Sequence, residues 1–464
     1  MRQWWYVLFV VVLAVDLAYS GYQYYHQPLD GDVSWNVVPA PEVTQVLRHP
    51  SGVKAWWTPT TYPNPNRFFC HWSLRQYLLV VPLLLQAVVD PVSSVYLAAA
   101  IAKLVTHLSL LYLLARLVTG RRHGRLALLG VMALLTPLFQ AAGYRSYMGI
   151  VDPSVTYTFF YALPTALTLL FLLPFADHLL HKRPWRGDWR RLVLLTLLAL
   201  VLHLSGPLNP GIVLVLSATY LLHVFVRRGV AGTVSSLRAL PPSLLLLWSW
   251  GMVLAGYSLF LGQYNSLATV TQVPLAEVYG RLPEGLYRQF FQKLGFPLLF
   301  IGLAINYLLL GFGKNGSLRW RHHYGWILIF CALYVLLLPL GGYREYRPYS
   351  LRYDTILPVT LSLLWLYGSG VLGVWQRIHR PVFGSLRFAY PVLLLGIGLI
   401  FANADRGDTA AFDCEVATLR TANFTAPDTV FLRTDCPVMS WGVPVDASTA
   451  ADNRTLLRHW NIID

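Results

Sequence analysis

Charge is what this sequence has least of. Lys, Arg, Asp and Glu supply 12% of the 464 residues, 56% are hydrophobic, and mean hydropathy is +0.50. A soluble domain carries roughly a quarter charged residues. This chain cannot clothe a water-facing surface of its size, which excludes a soluble globular protein. Cysteine is scarce too, with four in all, and no Cys/His cluster has zinc spacing. The patterns G-x-x-x-x-G-K-[ST], H-E-x-x-H and G-x-S-x-G are absent, so nothing points to a nucleotide cradle, a zinc protease or a serine esterase.

What is present is a series of long apolar runs. Segments long enough to span lie at roughly 3–20, 94–118, 126–143, 155–178, 191–206, 210–226, 241–262, 295–312, 324–341, 355–375 and 388–403. The expected fold class is therefore an all-α integral membrane protein with about eleven transmembrane helices, in a range of ten to twelve. The apolar run at Trp4 to Ala18 lacks a small-residue cleavage site and reads as a retained first helix.

The net charge of +15 falls in short clusters between apolar runs. These are Arg121, Arg122 and Arg125; Lys182, Arg183, Arg186, Arg190 and Arg191; and Arg227 with Arg228. Two more hold Lys314, Arg319 and Arg321, then Arg377, Arg380 and Arg387. With the N-terminus cytoplasmic, every cluster falls on the cytoplasmic side, as positive-inside topology requires. That placement argues against nucleic acid as a partner. Residues 74–90 are apolar, but a crossing there would invert all later loops. They read as a helix lying in the interface.

The chain then divides into a polytopic body, 1–404, and a small outer-facing tail, 405–464. The body includes a long first outer loop, 21–93, with interfacial helices. The tail holds nine carboxylates against five arginines, a strand-like run at Thr429–Leu432, and Cys414 and Cys436. A disulfide between those two could close it in an oxidising compartment. Cys331 reads as packing.

Two outer segments can carry chemistry. The first loop bears Asp30-Gly31-Asp32, where the glycine lets the backbone turn sharply and aim both carboxylates one way. Such a pair can supply a general base, hold a divalent cation against phosphates, or be an ordinary solvated turn. Downstream, Arg67 and His71 lie in Asn64–Trp72. The second segment, Gly342–Asp354, interleaves Arg344, Arg347 and Arg352 with Tyr343, Tyr346, Tyr349 and Tyr353. Arginine grips phosphate through paired N–H donors and tyrosine stacks on sugar rings, so this loop suits a sugar-phosphate. An interfacial aromatic belt with arginines on lipid headgroups is the other reading. Arg145, Arg281, Glu284, Arg288 and Lys293 read as interfacial anchors, with Arg145 also a candidate phosphate ligand. Asp16, Lys103, His107, His203 and Asn209 are polar residues within apolar runs.

This layout resembles the GT-C superfamily of polytopic glycosyltransferases, which includes protein O-mannosyltransferases and aminoarabinose transferases. The resemblance rests on a short first helix, a long acidic outer loop, the number of spans, and the Arg-x-x-Tyr texture of 344–353. It differs in one detail, since the acids here are separated by Gly31 rather than adjacent. The resemblance implies a sugar taken from a polyprenyl-phosphate-linked donor and passed, with inversion, to a saccharide, lipid or protein acceptor. It implies Asp30 or Asp32 as catalytic base and Arg344, Arg347 and Arg352 as phosphate ligands, assisted by Tyr346, Tyr349, Arg67, His71 and Arg145. No cofactor is required on this reading, although Asp30 and Asp32 could hold a divalent cation. The expected setting is the inner membrane of a bacterium, with the C-terminus outside. A flippase for lipid-linked saccharide and a non-catalytic membrane subunit are the rival classes.

Overall fold

The computed structural model describes residues 2–120, 123–142, 148–185, 187–269, 273–311, 318–341, 347–378, 383–421, 435–443 and 445–464. Among them the fold is helical, with a lone parallel bridge between Tyr62 and Asn265. Nine helices are long and apolar enough to cross a bilayer. The architecture is that of a polytopic membrane protein.

In chain order the principal helices are α1 (Arg2–Tyr25), α2 (Val33–Val37), α3 (Pro41–Arg48), α4 (Val53–Trp57), α5 (Phe68–Leu85) and α6 (Pro91–Thr119). There follow α7 (Arg125–Leu135), α8 (Val155–Leu179), α9 (Trp189–His203), α10 (Leu208–Arg238), α11 (Pro242–Gly262) and α12 (Leu275–Phe290). The remainder are α13 (Gly295–Gly311), α14 (Leu318–Leu337), α15 (Leu357–Trp375), α16 (Leu386–Ala404), α17 (Ala410–Thr421) and α18 (Ala447–His459).

Local chemistry sets several boundaries. The Asp90 carboxylate accepts from Ser93 N at 3.0 Å and Pro91 opens α6, satisfying a backbone donor that a helix start leaves orphaned. Asp188 and Asp446 cap α9 and α18 in the same way. Two expected spans are shorter than anticipated. The run 126–143 gives α7 and a 3-10 turn, Thr136–Leu138, because Pro137 cannot continue the ladder. The run 191–206 gives the 15-residue α9, which stops before Gly206, where φ is +94°. α12 and α13 form one bent pair with 79° between them.

The bundle has two distinct ends. At one, Tyr19 and Gln23 of α1 donate to the Asp405 carbonyl, and the Asp405 carboxylate accepts from Ala141 N and Ala142 N. There too, Phe69 N meets the Leu204 carbonyl and Asn66 meets that of Ser258. At the other end Arg116 pairs with Asp177 at 3.6 Å, His123 meets Gln376, and Trp185 meets Ser243. α5 has the length and apolarity of a span, yet both of its ends belong to the first group. His71 near its start bonds Asn36, and Gln86 just past its end donates to the Trp460 carbonyl at 2.7 Å.

α15 runs through the centre, with 89% of its apolar window buried, against 11% for α1 and 17% for α16. Trp4, Val11 and Val15 on α1 and Phe388, Val392 and Leu395 on α16 are outward-facing apolar residues that lipid would cover. A second core joins the first loop to the tail. Leu29, Val33 and Val37 pack with Leu74 and Leu78 of α5 and with Leu456, Leu457 and Trp460 of the tail. Cys414 and Cys436 are joined as a disulfide. The strand-like run Thr429–Leu432 lies outside the described residues.

The tail is tied down by Glu415, which is fully buried and accepts from Leu29 N at 2.8 Å and Met439 N at 2.7 Å. Burial pushes its carboxyl up to about 7, against the pull of those two N–H donors and of Tyr96. The folded protein therefore holds this proton more tightly than the unfolded chain does. Docking should be strongest below the ordinary carboxyl range, weaken as pH rises toward about 7, and stay level above. Melting of the protein followed from about pH 5 to about pH 8 checks this. Glu415→Gln should flatten the profile, and an unchanged slope would assign it to another group.

Candidate functional site

The two acids of the first loop have different surroundings. Asp30 is buried, with Oδ1 accepting from Asp32 N at 3.1 Å and Oδ2 from Thr156 N at 3.2 Å. It ties the loop to the start of α8. Beneath it lies buried Lys103, whose Nζ donates to Gln27 Oε1 at 2.8 Å and to the Pro153 carbonyl, with Asp30, Asp152 and Glu415 as its electrostatic partners. A fully desolvated lysine with acids around it is a structural counter-charge.

Asp32 is half-buried and open to solvent. Its Oδ1 accepts from Trp441 Nε1 of the tail at 3.0 Å. Its carbonyl accepts from Asn36 Nδ2 at 2.6 Å, and Asn36 Oδ1 meets His71 Nδ1 at 2.7 Å. His71 is buried with its ring edge on Phe160. Through Asn36 it supports the Asp32 backbone, and it lies within electrostatic reach of Arg67. Burial lifts the Asp32 carboxyl above its ordinary range. The Trp441 N–H holds it down, Asp30 pushes it up, and the Tyr157 hydroxyl and Arg352 lower it.

Gly31 lies in a turn, as expected, closed by Val33 N on the Asp30 carbonyl at 3.2 Å. It does not adopt the left-handed region. A Cβ there would sit 2.6 Å from Trp441 N and 2.9 Å from Ser440 C. The tail backbone crosses directly over the Asp-Gly-Asp turn, and only glycine leaves room for it. Gly31→Ala should lift Ser440–Trp441 and break the Trp441–Asp32 bond, at about 1–3 kcal/mol. Faster proteolysis of the tail would show it, and unchanged protection would mean the tail packs independently of this turn.

Opposite Asp32 stands the first turn of α8. Ser154 caps it, accepting from Tyr157 N at 3.1 Å, and Thr158–Ala162 is wound as a π-helical turn. Such bulges re-aim side chains and are frequent at functional sites. Tyr157 lies within electrostatic reach of both Asp32 and Arg352. The Arg352 guanidinium lies 4.6 Å from the Tyr157 ring centre and 5.9 Å from that of Tyr161. Arg67 lies 5.7 Å from Tyr161 and 5.1 Å from Phe160. The structure thus gathers Asp32, Arg352 and Arg67 around Tyr157 and Tyr161. Asp354, itself buried, pairs with Arg352 through Nε at 2.8 Å and through Nη2. That pairing fixes the plane of the guanidinium.

Arg288 of α12 lies 4.7 Å from the Tyr349 ring, so Tyr349 is engaged at the neighbouring surface helix. Arg347 accepts at its carbonyl from Ser350 N at 3.1 Å. Arg145, Arg344 and Tyr346 lie outside the described residues. Among the described residues no group of three or more His, Cys, Asp or Glu side chains gathers for a metal.

Below the cluster an apolar groove runs down the bundle. It begins at Thr165, whose hydroxyl bonds the Tyr161 carbonyl, and at Pro358, and reaches Leu180 and Leu240 near the opposite end. Fifteen residues of α8 separate Thr165 from Leu180, roughly 22 Å of helix. Phe171, Phe175, Trp326 and Trp365 are among its walls. A cationic, aromatic cluster with a half-buried carboxylate beside it thus lies one turn along α8 from the start of a long apolar groove.

No family model, curated protein or solved structure matches this chain. The reading of the site rests on its own chemistry.

Sequence reasoning did not single out Tyr157, Tyr161 or Trp441. The tyrosines are spaced i,i+4 at a helix start just after Asp152-Pro153-Ser154, which is a usable signal for one face. Trp441 has no sequence signal, because a fold over 400 residues long in sequence brings it to Asp32.

Proposed function

We propose that this protein is a membrane glycosyltransferase of GT-C type. It takes a sugar from a polyprenyl-phosphate donor and works on the outer face of a cell membrane, with the bacterial inner membrane the preferred setting. The observation that carries the proposal is the gathering of Arg352, Arg67 and Asp32 around Tyr157 and Tyr161, one helical turn from Thr165, where the lining of the apolar groove begins. A lipid-linked sugar phosphate has the same sequence of chemistries, from long apolar chain to anion to polar ring.

On this reading eleven segments cross the bilayer: α1, α6, α7 with its 3-10 turn, α8 to α11, and α13 to α16. α5 lies along the outer interface. What supports that topology is the sorting of charge. Arg125, Arg183, Arg190, Arg191, Arg228 and Arg377 belong to segments at the end away from the tail, as positive-inside placement demands. The disulfide-bearing tail occupies the other end, which suits an oxidising compartment.

The chain of the donor lies in the groove and its phosphate meets Arg352 and Arg67. Asp32 takes the proton of the acceptor hydroxyl as that oxygen bonds to the anomeric carbon. The bond from this carbon to the phosphate oxygen breaks, and its electron pair leaves with the lipid phosphate. One displacement inverts the configuration. The two arginines stabilise the charge that grows on the departing phosphate. Asp30, with both oxygens engaged by backbone donors, positions Asp32.

Native mass spectrometry of the protein released from detergent tests the first requirement. A polyprenyl phosphate should be retained in preference to an anionic phospholipid of equal charge, and Arg352→Met should lose that preference. Equal retention of both lipids would remove the proposal.

A further inference from the structure

One exposed aromatic in the tail stands apart from the rest. Trp441 is 55% exposed, although Val438 and Met439 just before it are completely buried. Its indole is nonetheless immobilised. The N–H is bonded to Asp32 at 3.0 Å, the ring lies 5.8 Å from Tyr157 with 28° between planes, and its backbone is seated on Gly31. Glu415 holds Met439 N, and Asn453 Nδ2 donates to the Val438 and Met439 carbonyls at 3.1 and 3.3 Å. The strap bearing the tryptophan is thus fixed from both sides.

Other exposed tryptophans, such as Trp57 and Trp72, lie on the helices of the first loop and on α5, where an interfacial belt accounts for them. Trp441 lies instead beside a carboxylate in the candidate site. A rigid indole next to a carboxylate has a defined complement. The apolar C–H face of a pyranose stacks on the ring, and a hydroxyl of the same sugar donates to the carboxylate. Lipid chains or an extended peptide would gain little from that pairing. Arg352 lies against Tyr157, on the phosphate side of the cluster. The tail wall therefore meets the ligand that arrives from solvent.

We propose that Trp441 is the platform for the acceptor, and that the acceptor is a saccharide whose pyranose ring stacks on this indole with one hydroxyl on Asp32. This rests on the lipid-phosphate glycosyltransferase reading for the word acceptor, while the sugar site itself stands on its own geometry.

The test uses the full-length protein in nanodiscs and a panel of methyl glycosides: glucoside, mannoside, galactoside and N-acetylglucosaminide. Saturation-transfer NMR reads contact with the ring protons. At least one glycoside should bind, with its axial C–H protons saturated most strongly. Trp441→Phe, which keeps a stacking ring, should bind within a few-fold of the parent. Trp441→Ala should weaken binding by about tenfold or more, and Trp57→Ala should leave it unchanged. Retention of a polyprenyl phosphate by Trp441→Ala, measured in parallel, shows that the site is still folded.

Equal glycoside binding by Trp441→Ala, or no binding of any glycoside by the parent protein, overturns the platform. If glycosides bind through Trp441 but the parent retains no polyprenyl phosphate, the transferase reading falls and a saccharide site remains. If the lipid is retained and glycosides are not, the transferase reading stands with an acceptor of another class.

Discussion

Asp32→Asn is expected to lower sugar transfer by about 10²–10⁴-fold while leaving the fold and donor retention intact, because it removes only a base. Asn is nearly isosteric and its carbonyl can still accept the Trp441 N–H, so the tail should stay seated on the turn. Asp30→Asn should behave differently. Its carboxylate anchors Asp32 N and Thr156 N and faces Lys103, so that change should lower the melting temperature as well as activity. The pH profile separates the two roles further. A base works only when ionised, so transfer should fail as pH drops through the Asp32 value, which burial holds above the ordinary carboxylate range. Trp441→Phe removes a donor that lowers this value and should move the acidic limb upward. Measured rates across pH for the parent and both variants check all of this. An Asp32→Asn protein with parental activity would mean that some other group takes the proton.

Arg352→Met is expected to act on both substrate and stability. It removes the proposed phosphate ligand, so the donor KM should rise sharply. It also leaves Asp354, 2% exposed, without its cationic partner. Orphaning a buried charge of this kind costs about 3–5 kcal/mol. The second effect can be subtracted. Adding Asp354→Asn to Arg352→Met should recover most of the stability, since the double variant no longer buries an unpaired charge. It should recover none of the donor binding. Thermal melting and donor titration on the three variants separate the effects. If the double variant regains donor binding as well, Arg352 is a structural residue and the phosphate is held elsewhere.

The acids and the arginine loop were legible for a simple reason. Both are polar, chemistry-capable stretches in a chain that has few, and both follow apolar runs whose lengths and flanking charges fix which end of the bundle they reach. Their individual roles were not legible. Asp30 and Asp32 are two residues apart, yet one is buried under backbone donors and the other opens to solvent. That difference comes from Thr156 and Trp441, which approach from α8 and from the tail. The contacts that bury His71, with Phe160 and Asn36, were not announced by its neighbours in sequence. The turn at Gly31 was legible, whereas the approach of Trp441 to it was not, because a close approach by distant chain leaves no trace in local sequence.

The sequence by itself determined that this is a polytopic membrane protein, because the lengths of apolar runs and the scarcity of charge are properties of composition that no folding can alter. It also determined which loops carry cations and which carry the acids, since charge placement is read directly along the chain. Only the tertiary structure decided that Asp32, Tyr157, Arg352 and Trp441 meet in one cluster. Those four residues come from the first loop, the start of α8, the segment before α15 and the tail. Their meeting depends on how the helices pack, which is set by the shapes of side chains across the bundle and not by any spacing along it.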